Sequence, residues 1–309
     1  MANPTSGTNN YSSIWRGQLL PITLANLTVV AVAAFDGLAI VAALPNITKD
    51  LGYVSLAPWI LTSYLATSAI SAIIAGPIID SIGVRKTFQA AGLWFLITSG
   101  FAAISPTLPI LILARALQGI GGGLVIAVAL ASVGLAYPDI LRPKAFAANS
   151  MVWGTLGLGG PVLAGALLSF GGWRLIFLVQ LPITALALFV GWNRLPKITN
   201  DQKVQKIEFD YKGITLLSVC ITASLIGVAQ LTNRPLVALG LLALTGVIAS
   251  RYWAHSGTYS NPVLSRQHLT RFPLNRIHIA SALALITGLA ADNYLPLYML
   301  IVLSDPIDI

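Results

Sequence analysis

The chain has 309 residues, of which only 9% are charged and 56% hydrophobic, and its mean hydropathy is +0.81. A soluble domain carries about a quarter charged residues, so a soluble enzyme of this length is excluded. The formal charge of +8 sits in short loops between apolar runs, which speaks for membrane topology and against nucleic acid. The lone cysteine, Cys220, excludes a disulfide framework and a thiolate metal cluster.

Residues Met1–Tyr11 are polar and uncharged. They lack a basic segment ahead of a short apolar one, so no cleaved signal peptide is expected. Nine apolar segments follow: Leu19–Leu44, Ala57–Ile79, Thr87–Ile104, Leu108–Ala136, Ala145–Phe170, Leu175–Trp192, Gly213–Leu231, Pro235–Trp253 and Ile277–Leu303. Each is long enough, at about 1.5 Å per residue, to cross a hydrocarbon layer about 30 Å thick. Lipid tolerates only helices or closed barrels, and no period-two alternation runs through these segments, so the predicted fold is all-α, a polytopic membrane helix bundle.

Placing the N-terminus inside puts fourteen basic residues in cytoplasmic segments, among them Arg16, Arg85, Lys86, Arg142, Lys144 and Arg194. Only Lys49, Arg174 and Arg234 then fall in outer loops, and Arg115 stays within a span. The asymmetry follows the positive-inside rule and predicts a cytoplasmic N-terminus. The polar stretches Arg194–Lys212 and His255–Arg276 bracket a two-helix unit. The expected organisation is a six-helix bundle over residues 1–193, a cytoplasmic linker over 194–212, an inserted pair over 213–254, a cytoplasmic loop over 255–276, and one further helix over 277–309.

Several motifs sit at helix ends and within spans. After the second span comes Gly76-Pro77-Ile78-Ile79-Asp80-Ser81-Ile82-Gly83-Val84-Arg85-Lys86. Gly76 is expected to permit close helix approach and Gly83 a tight turn. Asp80 is expected to cap the next helix or pair with a base, and Arg85 and Lys86 to anchor the inner face. The fourth span holds Arg115-Ala116-Leu117-Gln118-Gly119-Ile120-Gly121. An arginine there costs about 2.5 kcal/mol or more unless it meets an acid or a polar cavity. The fifth span carries Gly154, Gly157, Gly159, Gly160-Pro161, Ala164 and Gly165, a composition suited to bending and close packing.

Together these segments resemble the major facilitator superfamily. The loop matches its cytoplasmic signature, with Ser81 and Val84 where arginines are usual. The fourth-span segment resembles the motif attributed to proton coupling, and the fifth-span glycines resemble the antiporter motif, with Ala164 in place of a glycine. Asp36 with Ala43-Leu44-Pro45 is similar to the first-helix pattern of drug:proton antiporters. Trp173-Arg174-Leu175-Ile176-Phe177 with Pro182 is similar to a pattern of the 14-helix branch, with Gln180 in place of asparagine. The inserted pair also fits that branch. The resemblance implies a proton-coupled exporter of small lipophilic or cationic compounds in a plasma or bacterial inner membrane, with the lipid bilayer, protons and a small-molecule substrate as its partners. It further implies a C-terminal half of which this chain holds only the first helix. The other reading is a truncated, transport-incompetent fragment or assembly partner.

The intramembrane acids are Asp36 and Asp292, and such acids mark functional sites. Asp36 and Arg115 lie at comparable depths, about 14 Å and 10 Å from the outer end of their helices, so they are expected to meet and, with Asp292, to carry proton coupling. Trp59, Tyr64, Trp94 and Trp153 are the candidate substrate contacts. His255, His268 and His278 lie in or beside the second polar loop and are expected to be solvated. No phosphate-binding loop, zinc-ligand spacing or catalytic triad is recognisable, so no cofactor, metal or enzymatic reaction is expected.

Overall fold

The computed structural model describes residues 13–196, 209–231, 234–260, 262–273 and single positions between 276 and 283. Eight long helices form in chain order: α1 Leu19–Leu51, α2 Ala57–Ile82, α3 Val84–Ala103, α4 Leu108–Ala136, α5 Arg142–Gly171, α6 Arg174–Gly191, α7 Tyr211–Ala229 and α8 Pro235–Thr258. A short α9 spans Arg266–Thr270. The described residues contain no strand. Seven of the helices are long and apolar enough to cross a membrane. The exception is α3, whose 20 residues include Arg85, Lys86, Gln89 and Ser99, yet it packs inside the bundle against α4 and α6. The expected ninth span, Ile277–Leu303, and Asp292 within it fall largely or wholly outside the described residues.

The first six helices pack as two similar triplets. α2 and α3 lie against α4, while α5 and α6 lie against α1; α1 meets α4 and α3 meets α6. Such internal repetition is common in transporter folds. α7 and α8 form a hairpin that rests on α2. The apolar core divides into layers. One contains Phe35, Ile40, Ile60, Leu111 and Phe177; another contains Val29, Phe88, Val128 and Leu188.

Helices in lipid gain little from hiding apolar surface from one another, so close backbone approach carries much of the packing. The α2–α4 seam is the clearest case. A Cβ at Gly119 would meet Thr67 Oγ1 and the Tyr64 carbonyl, and one at Gly123 would meet the Ser68 carbonyl and Ser71 Oγ. Across the neighbouring α3–α4 contact, a Cβ at Gly121 would fall 2.8 Å from the Phe95 backbone nitrogen. These neighbours are largely backbone and cannot step aside. Gly123→Ala is therefore expected to cost about 1–3 kcal/mol through overpacking, while Gly165→Ala, with nothing within 4 Å of its added Cβ, leaves stability unchanged. Thermal unfolding of the two variants in detergent compares them directly.

Two sequence expectations change here. α1 continues through Pro45 to Leu51, beyond the expected Leu44, because Ile47 is fully buried against its neighbours. It ends at Gly52, whose φ of 75° suits glycine and whose N–H bonds the Thr48 carbonyl at 3.0 Å. His255 is not solvated. Its Nε2 lies 2.7 Å from Asp210 Oδ1, and the same carboxylate caps α7 by accepting from Gly213 N at 2.8 Å. Tyr252 Oη bonds both the N–H and the carbonyl of Leu264. The segment after α8 is thereby tied back onto the base of the hairpin.

Candidate functional site

α1 and α4 each bring one charge into the middle of the bundle. Arg115 Nη1 donates to Asp36 Oδ1 at 2.9 Å and to Oδ2 at 2.8 Å, and both side chains are 0% exposed. A buried ion pair survives only when its geometry is good and its remaining atoms are satisfied. Here two amides complete the shell. Gln180 Nε2 of α6 donates to Asp36 Oδ1 at 2.8 Å. Arg115 Nη1 donates to Gln118 Oε1 at 2.6 Å, and Gln118 Nε2 donates to Ser99 Oγ at 2.8 Å and Gln180 Oε1 at 3.1 Å. One network thus joins α1, α3, α4 and α6.

Two aromatic rings also lie near the guanidinium. Its carbon lies 4.1 Å from the Tyr64 ring centroid and 5.7 Å from that of Phe177. Its Nε and Nη2 find no hydrogen-bond partner among the described residues, so cation–π attraction carries that side of the group. The Tyr64 hydroxyl points along the Gly122 face of α4, where a Cβ would fall 2.5 Å from it. Asp36 Oδ1 accepts from Arg115, Gln180 and, at 3.4 Å, Gln118, and Oδ2 accepts from Arg115. The Tyr64 hydroxyl also hydrogen-bonds this carboxylate.

Of the four aromatic candidates, the structure brings Tyr64 to the charged pair. Trp94 lies half exposed on α3, its indole N–H bonded to the Leu117 carbonyl at 2.7 Å. Trp153 is exposed on α5, and Trp59 is half-buried near the start of α2. In the sequence Gln118 and Gln180 stand only as motif positions, one matching and one departing. A polar side chain inside an apolar span was the signal that could have singled them out.

The loop between α2 and α3 matches its expectation in part. Gly83 adopts φ 86° and joins the two helices, and Arg85 Nε donates to the Leu195 carbonyl at 2.7 Å. Lys86 is exposed. Asp80 is exposed and caps nothing: α3 has no side-chain cap, and no ion pair reaches Asp80 among the described residues. Gly76 has nothing within 4 Å of an added Cβ, so it mediates no close approach within the described residues. In α5, Gly160 meets Leu38 at 3.3 Å and Pro161 sits inside the helix. Gly157 is half-buried, while Gly154 and Gly165 face open space. That face of α5 is not packed by any described helix.

A bundle of long apolar helices around a buried charged centre is the architecture of a polytopic membrane protein. The Major Facilitator Superfamily model matches residues 27–304, and the chain belongs to that family. It is 28% identical over 93% of its length to the uncharacterised transporter YebQ of Escherichia coli (strain K12), covering 62% of that protein. It is 29% identical over 89% of its length to the multidrug efflux pump SdrM of Staphylococcus aureus (strain N315), covering 61% of it. A crystal structure of a peptide transporter POT in complex with sulfate superposes with a TM-score of 0.54 at 20% identity, over 79% of this chain and 54% of that one. That similarity shows the fold alone. The chain spans a little over 60% of the length of YebQ and SdrM.

Proposed function

We propose that this chain is the N-terminal portion of a proton-coupled exporter of small lipophilic or cationic compounds, of the 14-helix antiporter branch, with Asp36 as the group that takes and releases the proton. The observation that carries this reading is the Asp36–Arg115 pair, 0% exposed inside membrane helices. Charges are kept in a bilayer interior chiefly where they work. A proton arriving at the Asp36 carboxylate weakens its bond with Arg115 and loosens the link between α1 and α4. A cationic substrate approaching the carboxylate does the same, so proton and substrate compete for one acid, which is what exchange requires. The similarity to SdrM supports efflux as the direction of transport. The central test replaces Asp36 with asparagine and follows proton-driven transport.

The same reading assigns residues 1–193 to one six-helix half and 213–254 to an inserted pair, with alternating access needing a second half. The open α5 face at Gly154 and Gly165 supports the need for a further packing partner. The alternative, a fragment that assembles with another chain, rests on the same open face.

The proposed sidedness places the N-terminus in the cytoplasm. With Cys220 replaced by serine, single cysteines at Ser55 and Asn233 are expected to react with an impermeant thiol reagent added outside. A cysteine at Lys203 is expected to stay unlabelled until the membrane is opened. Reversed labelling contradicts the orientation drawn from the basic residues.

A further inference from the structure

Beside the charged centre, α1, α5 and α6 line two open cavities. At the ends of the helices lies a polar one of about 490 Å³, lined by Asn46, Lys49, Asp50, Trp173 and Arg174 among others. Beneath it runs an apolar crevice of about 310 Å³, walled by Phe35, Leu163, Leu167, Phe170 and Ile183, with Gln180 as its one side chain able to hydrogen-bond. The two adjoin at the end of α5, where Leu167 and Phe170 line the crevice and Leu168 and Gly171 the polar cavity.

The charges in the polar cavity do not cancel. Asp50 is taken up by Arg174 Nη1 at 2.7 Å and Trp173 Nε1 at 2.9 Å, and Arg174 Nη2 also donates to the Ser105 carbonyl. Lys49 is exposed and has no hydrogen bond or ion pair among the described residues. The cavity therefore presents one uncompensated cation at the level where helices leave the hydrocarbon.

The crevice is also distinct from the open α5 face described above. At 100° per residue, Leu156, Leu163, Leu167 and Phe170 lie on one side of Gly160 and Ala164, the positions that meet α1. Gly154, Leu158, Val162 and Gly165 lie on the opposite side. A protein partner packed over that second stripe leaves the crevice between α5 and α6 facing the bilayer. From Phe170 down to Leu156 the crevice extends about 21 Å, more than the roughly 15 Å of one leaflet's hydrocarbon.

We propose that the two cavities form one binding site for an anionic phospholipid, with its phosphate beside Lys49 and one acyl chain in the crevice between α5 and α6. The assignment goes beyond the transport reading and holds whichever side of the membrane this end faces. The test uses the purified, delipidated chain and native mass spectrometry with phosphatidylglycerol and phosphatidylcholine of identical acyl chains. Phosphatidylglycerol is expected to be retained in preference, and Lys49→Gln to lower its retention about fivefold, the worth of one basic side chain at a lipid surface. Ala166→Trp, which fills the crevice, is expected to lower retention of both lipids. Equal retention of the two lipids, unaffected by Lys49→Gln, overturns the proposal. So does displacement by glycerol 3-phosphate alone, which marks a free-anion site, or full retention in Ala166→Trp, which leaves the crevice to a protein helix. Since Lys49 and Ala166 are exposed, both variants are expected to elute as the parent does in size exclusion.

Discussion

Asp36→Asn is expected to reduce proton-driven exchange by the proposed transporter to background while leaving the bundle assembled. Asparagine keeps a side-chain oxygen where Gln180 Nε2 and Arg115 Nη1 now donate, so the geometry of α1, α4 and α6 has a near-isosteric replacement. It cannot take up and release a proton as the carboxylate does. Asp36 is the only acid buried within the described six-helix bundle, so no neighbouring carboxyl among those residues substitutes for it. Arg115 stays charged, held by Gln118 and by the faces of Tyr64 and Phe177. A pH gradient imposed on proteoliposomes reads the result. A purely structural ion pair gives the opposite pattern, transport retained and the unfolding temperature lowered.

Arg115→Ala is expected to destabilise the protein by about 3–5 kcal/mol, the usual consequence of stripping one partner from a buried pair. The loss falls on Asp36, left with only uncharged donors in a site that is 0% exposed. Adding Asp36→Asn to Arg115→Ala is expected to restore part of that stability, so the two substitutions are non-additive. Arg115→Lys is a sharper probe. The forked shape of the guanidinium suggests that lysine is a poor substitute, but Nη1 alone makes every hydrogen bond of this side chain. Lysine is therefore expected to keep the contact with Asp36 and lose chiefly the stacking on Tyr64, a penalty of about 0.5–2 kcal/mol. Thermal unfolding of the four variants in detergent measures both effects.

Charge and punctuation were the legible parts of the sequence. α4 begins and ends where expected, at Leu108 and Ala136, because Pro109 opens it and Pro138 follows it. The pairing of Asp36 with Arg115 was legible because each is a charge that an apolar span cannot leave alone. The direction in which a span faces was not. In a bilayer both lipid-facing and protein-facing sides are apolar, so Gly123 and Gly165 read alike, although one is locked against α2 and the other open. For the same reason Trp94 and Trp153 could not be told from Tyr64. His255 looked like part of a polar loop. Its partner Asp210 lies 45 residues earlier, and only the α7–α8 hairpin brings the two together. Gln180 stood out as a departure from a family pattern, and its bond to Asp36 appears only once α6 packs on α1.

The claim that Asp36 is the coupling acid is tested most directly by proton release. The detergent-solubilised transporter in weakly buffered solution is mixed with a cationic substrate across a range of pH, with a pH indicator reporting. The parent is expected to release protons on substrate binding, and Asp36→Asn to release none even at substrate concentrations raised to offset its weaker binding. If Asp36→Asn releases protons as the parent does, Asp36 is not the coupling acid, and Asp292 takes its place as the residue to substitute.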